Sequence, residues 1–307
     1  LLVPLTGKNS EIGQSIIKST RLAINTIDNV SIEIVPKDTK SNPEITLAAA
    51  KELANSGIKI VIGPVFNESL IYLDELNELT FLALTNKNDN FSKNIINAGI
   101  NATSQLNAIK KFIELNEIKK TIFLTPDVSF KNEIEKAISN SKIKILENYI
   151  YNTDPTKLTK QIEKITRYEI RKQNLEDEII RLEKSEQNNK EYLIERLKKR
   201  DTLGSVKFDS VVISDFDESL KSITTSLLYT DISPKEKYFI TLNQWFDKSL
   251  LKETSSQPLY FPSANKDNYN KFSNEYFEKY NQYPNQLSFL SYDLVGLVYY
   301  LILQNNS

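Results

Sequence analysis

The chain has 307 residues, long enough for two domains, and its 40% apolar and 26% charged residues are those of a globular protein. A net charge of −1 argues against a general nucleic-acid or anionic-membrane binder. The absence of Cys and His excludes disulfides, thiolate or imidazole metal sites and Ser-His-Asp chemistry, and leaves carboxylate, Lys or Tyr mechanisms open.

The opening run Leu1–Leu5 reads as a strand. A polar loop with Gly7 follows, then a helix with apolar positions at Ile16, Ile17, Leu22, Ala23, Ile24 and Ile27. The chain starts directly in this strand and has no Met, so a cleaved targeting segment or a truncation is expected ahead of Leu1. Alternation through Val30, Ile32 and Ile34 predicts a second strand over 30–35. Pro43 opens a helix with Leu47, Ala50 and Leu53 on one face. Strand 58–62 stops at Gly63-Pro64, and a helix is expected from Asn67. Strands 80–84 and 95–100 complete a first series. A second series starts near Ala102: helix 104–115, strand 121–124, helix to about 138, strand 143–151, strand 208–213, helix 218–229 and strand 238–242. Residues 258–262 read as a strand returning to the first series, and helices 267–280 and 287–303 close the chain. This alternation predicts an α/β fold with mostly parallel sheets. No unbroken run reaches the ~18 apolar residues of a membrane span, so no transmembrane segment is expected.

One stretch departs from the alternation. Glu169 to Asp201 carries nine acidic and nine basic residues. Ile165, Tyr168, Leu175, Ile179 and Leu182 recur at alternating three- and four-residue spacings, with Lys172 interrupting the series, like a coiled-coil seam. A helical hairpin, 155–183 and 190–201, is predicted between two strands. It is either a solvated, salt-bridged protrusion or a partner-docking arm.

Four segments in this order carry a resemblance. They are Leu2-Val3-Pro4-Leu5-Thr6-Gly7 with Ile12-Gly13-Gln14, Ile60-Val61-Ile62-Gly63-Pro64, Thr121 to Phe130, and Tyr283-Pro284-Asn285 with Ser291-Tyr292-Asp293. The chain resembles the type I periplasmic binding proteins of the leucine-binding-protein family. The charged insertion 162–208, closing on Arg200-Asp201-Thr202-Leu203-Gly204, and Asn243-Gln244-Trp245 are similar to the branch of penicillin-binding protein activators, lipoprotein regulators of peptidoglycan synthases. The resemblance implies two lobes, about 1–103 with 257–307 and about 104–256, holding a ligand between them and closing on a hinge. It also implies a periplasmic location, with any lipid anchor in a segment ahead of Leu1.

Ligands of open α/β sheets bind beyond the carboxyl ends of the strands. In the first lobe those loops carry Asn9 and Ser10, Asn67 and Ser69, and Thr85 and Asn86, all hydrogen-bonding residues that serve equally as caps or turn residues. In the second they carry Asp127, Phe130, Asp215 and Asp217. An acid there could hold a ligand ammonium, while Phe130 or Trp245 covers an apolar part. Alternatively, Asp215 and Asp217 cap the helix at Glu218 and Trp245 is core. Amino-acid-binding members carry a small hydroxyl residue where Asn67 stands and commonly Tyr-Gly where this chain has Phe130-Lys131, so their clamp does not transfer intact. Asp215 and Asp217 are the one acid pair that invites glycoside chemistry, without the rest of a catalytic constellation. The expectation is a non-catalytic protein without cofactor or metal. It captures a small polar, amino-acid-like ligand for a membrane transporter, or else regulates a peptidoglycan synthase by protein contact.

Overall fold

The computed structural model describes residues 1–27, 32–87, 91–242 and 256–305. The chain divides into two compact units, 1–101 with 264–307, and 102–263.

In unit 1 the strands are β1 (Leu2–Val3), β2 (Lys37–Asp38), β3 (Ile60–Ile62), β4 (Thr80–Ala83) and β5 (Ile95–Asn97). The helices are α1 (Ser10–Thr26) and α2 (Pro43–Asn55), with two single 3-10 turns, Asn67–Leu70 and Leu73–Glu75, where one longer helix was expected. All ladders are parallel: β1 with β2, and β3–β4–β5. Alternate residues of the strands face two helical layers. Val61, Phe81 and Ala83 pack on Ala50 and Leu53, while Val3, Ile62 and Leu82 pack on Ile16 and Ile17. Burial on both faces is why these strands read as apolar runs rather than alternations.

The second strand lies later than expected. Residues 30 and 31 fall outside the described residues, and Ile32 to Pro36 form no ladder. The N–H groups of Lys37 and Thr39 donate to the carbonyls of Leu1 and Val3 at 2.9 and 3.0 Å, which fixes the register at 37–38. The apolar side chains of Ile32, Ile34 and Val35 line a cavity instead.

Unit 2 contains α3 (Ala102–Leu115), β6 (Thr121–Pro126), α4 (Lys131–Ser141), β7 (Glu147–Tyr151), α5 (Pro155–Thr166), α6 (Tyr168–Glu183), α7 (Lys190–Leu197), β8 (Ser210–Ile213), α8 (Asp217–Tyr229), β9 (Tyr238–Thr241) and β10 (Leu259–Tyr260). Its parallel sheet has the order β10-β9-β8-β6-β7. Ile122, Leu124, Val211, Ile213 and Phe239 face α5 and α8, and Phe123, Val212 and Ile240 face α3 and α4. The strand expected to return to the first series is β10, which instead pairs with β9 in this sheet.

The predicted hairpin is corrected too. α5 is a sheet-packing helix, capped by Asp154 with Pro155 in its first turn, and it buries Leu158 and Ile162 in the core. The chain breaks at Arg167, whose φ of 54° is left-handed. Only then do α6 and α7 pair. α6 buries Arg171, Leu175 and Leu182, and α7 buries none of its residues.

Unit 1 is completed by α9 (Lys266–Tyr280) and α10 (Gln286–Asn305). Residues Gln286–Gln304 are long and apolar enough to cross a membrane by length and composition, contrary to the expectation of no such segment. Ser288, Ser291, Asp293 and Gly296 interrupt the apolar run without making the helix polar.

Candidate functional site

The carboxyl ends of the unit 1 strands come together through close backbone contacts. A Cβ on Gly63, which has φ +107°, would lie 2.1 Å from the Leu2 carbonyl oxygen, so the exit of β3 lies against β1. A Cβ on Gly13 would lie 1.9 Å from the Pro4 carbonyl oxygen, so the first turn of α1 sits directly on the exit of β1. Asp38, at the end of β2, orders the loop between them. Its Oδ1 accepts from the N–H groups of Leu5 at 2.8 Å and Lys40 at 2.9 Å, and its Oδ2 accepts from the Thr6 hydroxyl at 2.6 Å. Burial acts to raise the Asp38 carboxyl, but the bonds from Thr6, Leu5 and Lys40 outweigh it and hold the group below its ordinary value.

Each predicted residue of this unit can be placed. Asn9 occupies the N-cap position of α1, yet its side chain makes no cap and donates to the Ser41 hydroxyl at 3.0 Å. Ser10 is the first residue of α1. Asn67 and Ser69 lie in the 3-10 turn after β3. Ser69 is buried and its hydroxyl has no hydrogen-bond partner among the described residues. Thr85 follows β4, is buried, and accepts from the Lys87 N–H at 3.1 Å. Asn86 beside it is exposed. The three loops therefore share one end of the unit.

In unit 2 the equivalent end is set by β6, β7 and β8. The Asp127 N–H donates to the Tyr151 carbonyl at 2.9 Å, and the Ser214 N–H donates to the Leu124 carbonyl at 2.9 Å. Asp127 is paired with Lys131 at 2.8 Å, which raises the Lys131 ammonium. Phe130 and Phe216 are the N-cap residues of α4 and α8, and their rings meet edge to face at 5.7 Å. Asp215 is only 7% exposed. It does not cap α8. Its Oδ1 accepts from the Phe216 N–H at 2.8 Å, and its Oδ2 accepts from the Tyr151 hydroxyl. Burial first, then this bond and the Asp215 charge, push the Tyr151 phenol far up. Asp217 is the first residue of α8. Trp245, with Asn243 and Gln244, lies outside the described residues.

Sequence reasoning missed Asp38, Tyr151, Ser214 and Phe216. Tyr149 and Tyr151 do alternate at the end of β7, but nothing in the sequence couples Tyr151 to Asp215, 64 positions on. Ser214 resembles Ser69: it is buried, with no hydrogen-bond partner for its hydroxyl among the described residues.

Two cavities of unit 1 have ligand-sized volumes. One, of about 480 Å³, is lined by Ile24, Ile34, Ile58, Ile60, Val298 and Ile302 among others. It reaches the amino end of β3, where Ile58 and Ile60 enter the sheet, away from the predicted loops. The other, about 430 Å³, is an open depression that includes Asn67, Asp74 and Ser92. Among the described residues no group of three or more acids is placed to hold a metal ion.

Residues 1–166, more than half of the chain, match the family model described as periplasmic binding protein. The chain belongs to that family. Family membership implies a periplasmic location and a ligand-binding fold. Solved structures share the architecture over nearly the whole chain. A putative branched-chain amino acid ABC transporter protein from Rhodospirillum rubrum is 10% identical with a TM-score of 0.69, and the match covers 96% of this chain and 80% of that one. The C-domain of LpoA from Haemophilus influenzae, a regulator of PBP1A, is 15% identical with a TM-score of 0.63, covering 99% and 85%. An ABC-type branched-chain amino acid transporter protein from Rhodopseudomonas palustris is 14% identical with a TM-score of 0.61, covering 96% and 76%. At these identities the likeness concerns the fold. Among curated proteins none matches the chain.

Proposed function

We propose that this periplasmic binding protein is non-catalytic and captures a small ligand for a membrane transporter, through the strand-end loops of its two lobes. The observation that carries the reading is the unused hydrogen-bonding capacity of Ser69 and Ser214. Buried hydroxyls are normally partnered, and each exception calls for an explanation. These two follow strands of different sheets, β3 and β8, at the ends where α/β sheets bind ligands. A ligand polar atom at either strand end would give that hydroxyl a partner. Asn9, Ser10, Asn67, Thr85 and Asn86 supply further polar groups at the strand ends of unit 1, and Asp127, Phe130, Asp215 and Asp217 follow strands of unit 2.

A thermal-shift screen of the purified chain against amino acids, small carboxylic acids, peptides and peptidoglycan fragments tests this. A ligand at about 100 times its Kd adds ~2.7 kcal/mol of apparent stability. Ser69→Ala should leave the unliganded midpoint near its original value and weaken the shift at least tenfold in ligand concentration. If no compound shifts the midpoint, the capture reading fails.

A second reading has its own support. The likeness to the LpoA C-domain spans 99% of this chain, and α6 and α7 expose Ile170, Ile180 and Tyr192. A regulator of peptidoglycan synthesis would use that face for protein contact. It predicts binding to a synthase that is lost when 169–201 is deleted and is indifferent to Ser69→Ala.

A further inference from the structure

We infer that the strand-end face of unit 2 receives an apolar or aromatic part of the ligand, with a neutral polar atom at Ser214, and rejects an ammonium group. The inference rests on the capture reading and specifies its ligand class: an acid or neutral compound with an aromatic or branched body and no amino group.

Three observations converge. First, each acid that could receive a cation, among those whose side chains are described at this face, already has a donor. Asp127 lies 2.8 Å from the Lys131 ammonium, a surface pair that a ligand cation would have to displace. Asp215 bonds the Tyr151 phenol through one oxygen and the Phe216 N–H through the other. Second, Asp215, Tyr151 and Ser214 are all closely buried, at 7%, 1% and 0% exposure. Any ligand group that reaches this level must shed its water, and a neutral hydroxyl or carbonyl does so at far lower cost than an ammonium. An ammonium reaching Asp215 would have to shed its water and compete with a phenol already in place, and desolvating a charge is costly even when it finds a partner. Third, the residues that open α4 and α8 are both aromatic. Phe130 and Phe216 are partly buried and stacked edge to face, an apolar step beside the ends of β6 and β8.

Tyr151 is accordingly a positioning residue. By fixing Asp215, it holds the carboxylate against the Phe216 N–H and so sets the start of α8 and the Phe216 ring. The Ser214 hydroxyl, buried and without a partner among the described residues, is the polar capacity left over. A ligand hydroxyl or carbonyl can satisfy it without introducing charge.

The test is calorimetric titration of the full chain with two matched pairs: 3-phenylpropionate against L-phenylalanine, and 4-methylpentanoate against L-leucine. The des-amino member of each pair should bind at least tenfold more tightly. Phe130→Leu, which keeps apolar volume but removes the ring, should reduce the preference for the aromatic acid over the aliphatic one. Tyr151→Phe releases one Asp215 oxygen and should shrink the des-amino preference severalfold, a change in ratio that a merely structural defect would not produce. The inference is overturned if the amino acids bind more tightly and Asp215→Asn abolishes that binding; capture then stands with the opposite polarity. It is overturned alone if all four acids fail while another compound shifts the midpoint. If nothing shifts the midpoint, the capture reading falls with it.

Discussion

Replacing Arg171 with Met should release the α6–α7 pair from unit 2 while leaving the sheet intact. Arg171 is a cation in a nearly closed position, 6% exposed, on a helix whose other buried residues are leucines. Its Nη1 donates to the Thr230 carbonyl at 2.9 Å, its Nη2 to the Thr202 hydroxyl at 2.6 Å, and its Nε to the Gly204 carbonyl at 3.2 Å. The Thr202 hydroxyl passes the bond on to Asp231 at 2.5 Å, and Asp231 lies 3.6 Å from the guanidinium. One side chain thus ties α6 to the loop that returns from α7 and to the end of α8.

Burial lowers the Arg171 pKa, and Asp231 opposes that shift. Asp231 is 42% exposed, so the ion pair itself contributes little. The larger effect is the set of acceptors left without a donor, at ~1–3 kcal/mol for each one that water cannot reach. Two of the carbonyls lie in loops able to take up water, so the total expected loss is about 3–5 kcal/mol, as for breaking a buried charged network. Lys at this position reaches one or two of the acceptors and should lose roughly half as much. Urea unfolding followed by circular dichroism gives the loss, and amide exchange locates it. Protection should fall over 168–203 and persist over 121–126 and 210–213. A loss below about 1 kcal/mol, or a uniform fall in protection, would refute the reasoning. The same variant separates the two functional readings, since synthase contact through α6 and α7 would suffer while ligand binding would not.

Gly13→Ala should destabilise the chain by about 2–4 kcal/mol, because the new Cβ would meet the Pro4 carbonyl at 1.9 Å and neither α1 nor β1 can move freely; thermal unfolding measures this. Asp38 makes the β1 loop acid-sensitive. Its folded pKa is depressed below 3.8, so its contribution is complete above that value and is lost as the pH falls through the lower folded value. Asp38→Asn should therefore flatten the decline in urea midpoint as the pH falls below about 4; an unchanged slope there would count against it. Arg167→Gly relieves a non-glycine left-handed residue between α5 and α6 and should be neutral to stabilising, by up to ~1 kcal/mol in chemical denaturation.

The legible part of the fold was the part governed by periodicity and by glycine or proline stops. β3, β4, β6, β8 and β9 are buried on both faces, so their apolar runs announced them, and the four family-like segments supplied the order. What failed was pairing. Ile32 and Ile34 alternate like strand residues, but alternation reports a half-buried surface, and here that surface lines a cavity. Nothing in residues 258–262 distinguishes pairing with β9 from pairing in the other unit, because a two-residue ladder is specified by its neighbours. The hairpin boundary was misplaced because Ile165 continues the seam spacing across the break at Arg167. At the candidate site, residue types at strand ends were readable, but their engagement was not. Asp215 looks in sequence like an open acid and in the structure is closed by Tyr151.

α10 shows why composition alone misleads about such a segment. Read as a string, 286–304 could sit in lipid. Two of its polar residues argue otherwise, because Ser288 and Ser291 are matched by serines of α1. Ser288 and Ser291 are fully buried and meet Ser15 at 2.5 Å and Ser19 at 2.6 Å, and Tyr276 of α9 also reaches Ser15, at 3.0 Å. Small hydroxyl residues facing each other let two helices approach closely, and Leu294 and Val295 join Ile16 and Ile17 in one core. The first half of α10 is thus a core helix of unit 1. The second half differs: Leu297, Tyr300, Leu301, Ile302 and Leu303 are 42–55% exposed. A charge placed there tests the division. Leu303→Lys should change unfolding stability by no more than ~0.5 kcal/mol, as at an exposed site, whereas Ser291→Leu in the first half should cost at least ~1–3 kcal/mol by overpacking against Ser19. Equal effects at both positions would mean that the helix is held along its whole length.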